Sequence, residues 1–125
     1  MSTRRGFTLL EVLITIAILT TGLVSIAAMF TYSARSNTAT QRRTAAVMLV
    51  SEKMEEFKFI SLRDSRWTAG GSLDPANPVS GYFDSDSGYT RVWQITGTLP
   101  RTVTVAVYAD RTELARATTM NSRVF

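Results

Sequence analysis

The feature that most constrains this chain is an apolar run close to its start. From Val12 to Phe30 there is no charged residue, and the next charge along the chain is Arg35. A helix needs roughly 20 predominantly apolar residues to cross a bilayer, which is about the length of this run. One acid, Glu11, stands directly before it. A charge deep in a membrane segment costs at least about 2.5–3.5 kcal/mol and is usually paired or functional, so Glu11 needs an explanation.

Two ordinary export signals share some of these features. A secretory signal peptide has a basic start, an apolar middle and small residues at its cleavage site, which Ser25 to Ala28 would supply. A twin-arginine signal has paired arginines, as Arg4 and Arg5 are. Both kinds of signal contain an apolar region of roughly 7–15 residues that has no acid and is removed from the mature protein. The run here is longer and Glu11 interrupts its start, so neither signal explains the whole pattern. The absence of cysteine excludes a lipoprotein cleavage site.

A third interpretation accounts for the acid as well. Behind a short basic leader, the chain reads Gly6-Phe7-Thr8-Leu9-Leu10-Glu11-Val12-Leu13. This stretch resembles the leader junction of type IV prepilins and type II secretion pseudopilins. The resemblance implies that prepilin peptidase cleaves between Gly6 and Phe7 and methylates the new amino terminus at Phe7. The resemblance to this family is strong over about the first quarter of the chain, whereas the remainder resembles the family only in outline.

Glu11 has two competing roles. It lies four residues beyond Phe7, on the same face of a helix. An acid in the first turn complements the helix dipole, which is worth roughly 0.3–1 kcal/mol at an exposed site. The resemblance implies instead that the carboxylate pairs with the terminal amine of a neighbouring subunit when helices pack in a filament. In a low-dielectric environment such a pair is strongly favoured over either charge alone. The motif around Glu11 favours this second, assembly role.

Arg4 and Arg5 predict the topology of the chain. Basic residues beside an apolar segment hold that end in the cytoplasm, so the part from Arg35 onward is expected outside it. By resemblance, the arginines also present the Gly6–Phe7 bond to a membrane peptidase. The simpler interpretation is that they are only a topology signal. The expected location is the bacterial inner membrane, single-pass with the head outside the cytoplasm, and then a pilus or pseudopilus.

Helical periodicity is expected to continue well past the membrane. No proline occurs before Pro75, and one helix is predicted from about Phe7 to Leu62. Its second half has one apolar stripe for a core, formed by Ala46, Val47, Val50, Met54 and Phe57, with Ile60 and Leu62 near the end. Gly22 either loosens the membrane half or merely allows close helix packing. Four segments result: a leader at 1–6, a membrane and filament-core helix at 7–30, an amphipathic helix at 31–62, and a head of loop and sheet at 63–125.

The remainder of the chain predicts a loop followed by a small sheet. Arg63 to Gly88 contains prolines and glycines and is predicted as a long loop, with Trp67, Tyr82 and Phe83 as its anchors to the core. Within it, Asp84 to Gly88 resembles the opening of a calcium loop but lacks the later ligands. A solvated turn is therefore favoured there over a calcium site.

Three β-strands are predicted in the last third of the chain, joined by short turns into an antiparallel meander. They are Tyr89–Thr96, Arg101–Tyr108 and a weaker one over Glu113–Met120 with Leu114 inward. The residues expected to cover the helix stripe are Tyr89 or Val92, Ile95, Val103, Val105 and Val107. The predicted fold class is therefore α+β: a long N-terminal helix, transmembrane and then amphipathic, packed on a small antiparallel sheet, as the pilin resemblance also implies.

Composition argues against several classes of function. The chain has no cysteine and no histidine, which removes thiol nucleophiles, the usual zinc sites and histidine acid–base catalysis. We therefore expect no enzyme, no metal site and no cofactor. The net charge is +4, but two of the positive charges are Arg4 and Arg5, and the other arginines are scattered. Specific nucleic-acid binding is not expected.

The function predicted from the sequence is a minor, PilV-type pilin that acts in assembly, initiation or modification of a type IV pilus. Many major pilins carry a disulfide, which this chain lacks. The expected partners are prepilin peptidase, other pilin or pseudopilin subunits and an inner-membrane assembly platform. The nearest alternative is a minor pseudopilin of a type II secretion system. Alternatives of other classes are an envelope binding domain exported by a signal peptide, and a membrane-anchored enzyme, for which no spaced set of residues suggests a site.

Overall fold

The structure is a computed structural model that describes residues 6–122. Its first element, α1, spans Leu9–Phe59 and has 51 residues, so the predicted single long helix is confirmed. The helix begins two residues later than Phe7 because Thr8 caps it. The Thr8 hydroxyl accepts a hydrogen bond from the Glu11 N–H at 3.2 Å, and such a cap satisfies one of the unpaired donors of the first turn. Arg4, Arg5 and most of the leader lie outside the described residues.

The chain divides into two compact units, Met1–Ala39 and Thr40–Phe125. In the first unit, every residue from 6 to 39 is exposed. Helix α1 contains an 18-residue window with a mean hydropathy of 2.3 and no buried residue, so its length and composition suit a membrane span. The helix continues through Gly22 without a break. Hydroxyl groups in this segment donate to carbonyl oxygens one turn earlier, as Thr15 does to Glu11 at 2.7 Å. Polar groups satisfied in this way suit an apolar environment.

The part of α1 in the second unit packs one stripe into a core. Ala46, Val50, Met54 and Phe57 are buried, as predicted. Val47 was expected on this stripe, but it is 54% exposed. That prediction was wrong because consecutive helix residues are rotated by about 100°, which turns Val47 away from the core when Ala46 faces it. Ile60 and Leu62 pack against the core from just beyond the end of the helix.

A five-stranded antiparallel sheet forms the rest of this unit. A short 3₁₀ turn at Ser65–Trp67 leads into the strands, which are β1 (Gly70–Gly71), β2 (Phe83–Asp86), β3 (Tyr89–Thr96), β4 (Arg101–Ala109) and β5 (Thr112–Asn121). The strand order is β1-β3-β4-β5, and β2 also pairs with β3. The predicted meander of the last three strands is confirmed. The predicted long loop is wrong in part, since two short strands and the 3₁₀ turn lie within it.

The β2–β3 hairpin occupies the stretch that was expected to be a solvated turn. Phe83 pairs with Val92 and Asp86 with Tyr89, so only Ser87 and Gly88 are left as the turn. Their φ angles are 52° and 84°, and positive values at both positions are typical of the type I′ turns that join tight hairpins. Of the three expected anchors, Trp67 is buried, and the Tyr82 hydroxyl donates to the Thr68 carbonyl. Phe83 is 40% exposed and does not serve as an anchor.

The helix stripe packs on one face of the sheet. That face consists of Trp93, Ile95, Val103, Val105 and Val107, with Tyr89 partly buried beside them. The sequence predicted that either Tyr89 or Val92 would cover the helix stripe at the start of β3, and the structure shows that Tyr89 does so. Val92 points to the opposite face and packs with Ala106, Tyr108 and Leu73. Because side chains alternate along a strand, the inward position of Ile95 requires Trp93 to face the helix as well.

Candidate processing and assembly site

The predicted cleavage site lies just ahead of the helix. A Cβ atom added to Gly6 would meet no other atom within 4 Å, so packing within the chain does not require glycine there. Phe7 is 82% exposed. The bond between these two residues is therefore open to another protein. The presence of glycine at position 6 is therefore not explained by contacts within the chain.

Glu11 stands at the third position of the helix after the Thr8 cap. This spacing, a threonine followed three residues later by a glutamate, is that of a capping box. The threonine half is formed, since Thr8 accepts from the Glu11 N–H through its hydroxyl and its carbonyl. Within residues 6–122, no basic side chain forms an ion pair with the Glu11 carboxylate. Arg35 is the next charged residue along the chain.

The helix face that carries Glu11 is otherwise uncharged, and it combines small or polar residues with apolar ones such as Ile18. Thr15, Gly22 and Ser25 follow at spacings of four, seven and three residues, which places them along one side of α1. Small side chains allow two membrane helices to approach closely. Chemically, the arrangement offers one carboxylate beside an uncharged helix surface. It can bind a cation of another chain, and it contains no nucleophile–base pair.

A second ionic cluster, which the sequence did not indicate, lies in the head at Arg91. Its guanidinium donates to both carboxylate oxygens of Asp84 at 2.8 and 2.7 Å. It also donates to the Leu49 carbonyl of α1 at 2.9 Å and lies 3.6 Å from Glu52. The hydrogen bond with Asp84 raises the pKa of Arg91 above its ordinary value. Position 91 shares the inward face of β3 with Trp93, and an arginine on an inward face is the signal that could have indicated this cluster.

This pairing bears on the calcium site considered from the sequence. Both oxygens of Asp84 accept from Arg91, and an Asp86 oxygen accepts from the Ser87 hydroxyl at 3.0 Å. Over the described part of the chain, no three histidine, cysteine or acidic side chains are grouped so as to hold a metal ion. The Asp84 carboxylate thus joins the hairpin to the helix through Arg91.

A third cluster lies at the end of α1. Lys53 contacts Glu56 at 2.8 Å, and its ammonium lies 4.1 Å from the centre of the Trp93 ring. Arg66 bridges Glu56 at 3.2 Å and Asp64 at 2.9 Å. The hydrogen bond from the Arg66 side chain lowers the pKa of Asp64 to about 2. These contacts link the 3₁₀ turn to the last turns of the helix.

Comparison with known proteins gives one match, which is to a family model at the start of the chain. Residues 1–27 match the family model of the prokaryotic N-terminal methylation motif, which includes Gly6, Phe7 and Glu11. This motif is characteristic of type IV prepilin-like proteins. Searches of curated proteins and of solved structures gave no match. The motif indicates a pilin-like or pseudopilin protein, a structural class anchored by its apolar helix, and it implies processing by prepilin peptidase and assembly with other subunits.

Proposed function

We propose that this chain is a minor pilin subunit of a type IV pilus, made as a prepilin and acting in pilus initiation or modification. The observation that carries the proposal is the methylation motif at residues 1–27, which continues directly into a long, exposed apolar helix. The α+β head, with its sheet packed on the second half of that helix, suits a subunit that assembles. The absence of cysteine favours a minor subunit over a disulfide-stapled major one.

The first step in this function is cleavage by prepilin peptidase between Gly6 and Phe7, followed by methylation of the Phe7 amine. Two observations support it. The bond lies outside the helix, and the exposed Phe7 side chain makes it accessible. Gly6 has open space around it, so a requirement for glycine belongs to the peptidase, whose active site would approach the backbone closely. Arg4 and Arg5 hold the leader on the cytoplasmic side in this proposal.

The second step is assembly through Glu11. Cleavage creates a positive amine at Phe7, one helical turn before Glu11. The carboxylate has no internal basic partner among the described residues, and the helix face that follows it up to Phe30 carries no charge. A neighbouring subunit that brings its own Phe7 amine to this carboxylate would complete a buried ion pair. The inner-membrane assembly platform would select subunits while they are still inserted.

Mass spectrometry of the mature chain tests the proposal. We expect a chain that begins with N-methylated Phe7. Gly6→Val should accumulate as the full-length precursor in the inner membrane, whereas Thr3→Val in the same leader should be processed normally. A mature terminus near Ala28 would instead identify an exported domain with a cleaved signal peptide. A wild-type chain that keeps its leader would refute the prepilin assignment.

Localisation separates the pilus from the closest alternative. The motif serves type IV pilins and type II pseudopilins alike, so a minor pseudopilin is the second candidate. A pilin should be found in pili sheared from the cell surface, and its loss should reduce piliation. A pseudopilin should stay with the cell envelope, and its loss should retain secreted enzymes in the periplasm.

A further inference from the structure

The two edges of the sheet differ in how well they are protected against pairing with another chain. On one side, β3 is covered by β1 and β2, which have only two and four residues. Two of the four residues of β2 are acids, Asp84 and Asp86. Short edge strands and charged side chains are two of the means by which proteins prevent unwanted strand pairing. The edge formed by β1 and β2 is therefore protected.

The other edge of the sheet is β5, which has ten residues and, in the described part of the chain, no strand on its outer side. Its first part contains a β-bulge, because Leu114 has no partner on β4. A bulge twists an edge away from further pairing. Residues 115–120 pair regularly with β4, contain no proline and include one charged side chain, Arg116. This stretch, here called the open edge, lacks the protection that the opposite edge of the sheet has.

A cavity of about 470 Å³ lies beside the last residues of the open edge, where β5 meets the segment that ends α1. Much of its lining is apolar and includes Phe59, Ile60, Leu62 and Met120. Lys58 is the one charged side chain among the described residues that line the cavity. It forms no ion pair within residues 6–122. The cavity therefore suits a large apolar side chain that has an acid close to it.

We propose that the open edge and this cavity together bind an extended segment of a different protein, which adds a strand to β5. Backbone hydrogen bonds along an added strand provide affinity, and side chains at alternate positions provide specificity. Because successive side chains point to opposite faces of a sheet, every second residue of the segment lies on the side of α1. One of these residues fills the cavity, and an acidic one pairs with Lys58. The site belongs to the head alone and goes beyond the proposed pilin function.

A second copy of this chain fits the site poorly. Two open edges can pair antiparallel about a two-fold axis with both helices on the same face. Directly opposite residues then share a face, so Ala115 or Ala117 of one copy lies opposite Thr119 of the other. Thr119 lines the cavity, and the methyl group of an alanine is too small to fill a space of about 470 Å³. The cavity and Lys58 therefore favour a segment with a different sequence.

Selection from a peptide library tests the site on the full chain in mild detergent. The library contains seven-residue peptides with threonine at the odd positions and every residue type at the second, fourth and sixth. We expect the wild-type chain to enrich peptides that combine a large apolar residue with an acid at these three positions. Selection on Lys58→Glu should replace the acid by lysine or arginine. If the wild-type chain enriches no sequence, or if Lys58→Glu leaves the preference for an acid unchanged, the proposal is refuted.

The role of the cavity is tested with the synthetic form of the most enriched peptide. Met120→Glu should weaken its binding by about tenfold or more, because the new charge lies in the apolar lining and competes for Lys58. Met48→Glu is the matched control, since Met48 on α1 is 67% exposed and Met120 is 70% exposed. The control should bind the peptide as the wild type does. Equal losses in the two variants would overturn the assignment of the cavity.

Hydrogen exchange of the full chain locates the bound peptide. Strand addition should protect the outward-facing amides of residues 115–120 and leave the exchange of β2 unchanged. Protection of β2, or no added protection in β5, would refute strand addition at the open edge. The outcome is separate from the proposed pilin function. A chain that carries methylated Phe7 and binds no peptide would be a pilin without this site, whereas an uncleaved chain would refute the pilin function itself.

Discussion

The two roles considered for Glu11, at the helix start and in assembly, differ in energetic size. The helix start is already stabilised by the Thr8 cap, whose hydroxyl accepts from the Glu11 N–H at 3.2 Å. The dipole adds roughly 0.3–1 kcal/mol for an exposed acid. One-sided loss of a buried ion pair costs roughly 3–5 kcal/mol. Because these magnitudes differ, a single substitution separates the helix-start role from the assembly role.

Replacing Glu11 with glutamine keeps the shape of the side chain and removes its charge. We expect the variant to be inserted and cleaved but absent from pili, because a buried amine of the neighbour loses its partner. Thr8→Ala is the matched control: it should cost about 1 kcal/mol at the helix start and leave incorporation intact. Fractionation of sheared pili against membranes measures both variants. Normal incorporation of the glutamine variant would leave only the helix-start role.

Arg91 joins three elements of the head through one guanidinium. Its two hydrogen bonds to Asp84 and one to the Leu49 carbonyl hold β2 and β3 against α1. Arg91→Ala should lower the free energy of unfolding by about 2 kcal/mol, since hydrogen bonds to charged groups are worth about 1.5–3 kcal/mol and the partner carboxylate is partly solvated. Arg63→Ala, at an exposed position, should change it by less than about 0.5 kcal/mol. Thermal unfolding in detergent measures both; equal effects would show that the cluster contributes nothing specific.

At the scale of the helix, the buried stripe is tested by two phenylalanines in its last turns. Phe57 is 2% exposed, and the centre of its ring lies 5.2 Å from the centre of the Trp67 ring. Phe59, in contrast, is 89% exposed. Phe57→Ala should cost roughly 3–5 kcal/mol, and Phe59→Ala should have little effect on folding. Denaturant unfolding of the full chain in detergent compares them. Similar losses at both positions would mean that the stripe is wrongly phased.

The 3₁₀ turn after the helix gives a prediction in acid. The hydrogen bond from Arg66 lowers the pKa of Asp64 from its ordinary 3.8 to about 2. A depressed pKa contributes stability above the unfolded value, and this contribution is lost as the pH falls from about 4 to about 2. NMR titration should place the Asp64 midpoint near 2 in the wild type, and Arg66→Ala should return it towards 3.8. A wild-type midpoint already near 3.8 would contradict the pairing.

The sequence predicted most of these elements, and its errors have physical causes. The helix, its buried stripe and the last three strands follow from periodicity, which apolar burial enforces. The strand β2 was missed because its residues Phe83 to Asp86 lack alternation and β-branched side chains, and pairing with β3 decides their conformation. Arg91 was missed because it pairs with Asp84 across a hairpin that depends on the missed strand β2, and because Leu49 is distant from both in sequence. The motif at Gly6, Phe7 and Glu11 was visible because it is local.

For the whole molecule, basic residues flank the apolar run on both sides. Arg4 and Arg5 precede it, while Arg35, Arg42 and Arg43 follow it. Counting arginines alone would favour a cytoplasmic head, the opposite of the proposed orientation, since three of these arginines lie on the head side. Long segments, however, cross the membrane largely regardless of their charge, and the basic bias is decided by short flanks. The leader, rather than the head, should therefore set the orientation.

A labelling experiment tests this orientation. Ser85→Cys gives a single thiol on the exposed hairpin of the head, because the chain has no native cysteine. A membrane-impermeant maleimide should label it from outside the inner membrane. Adding Arg4→Ser and Arg5→Ser should reduce both the labelling and the cleavage after Gly6, because the leader is then no longer held in the cytoplasm. Adding Arg35→Ser instead should change neither. The opposite result would be that the Ser85→Cys variant with its leader unchanged reacts with the maleimide only after cell lysis. The head would then be cytoplasmic, and the apolar helix could not deliver it to a filament outside the cytoplasm.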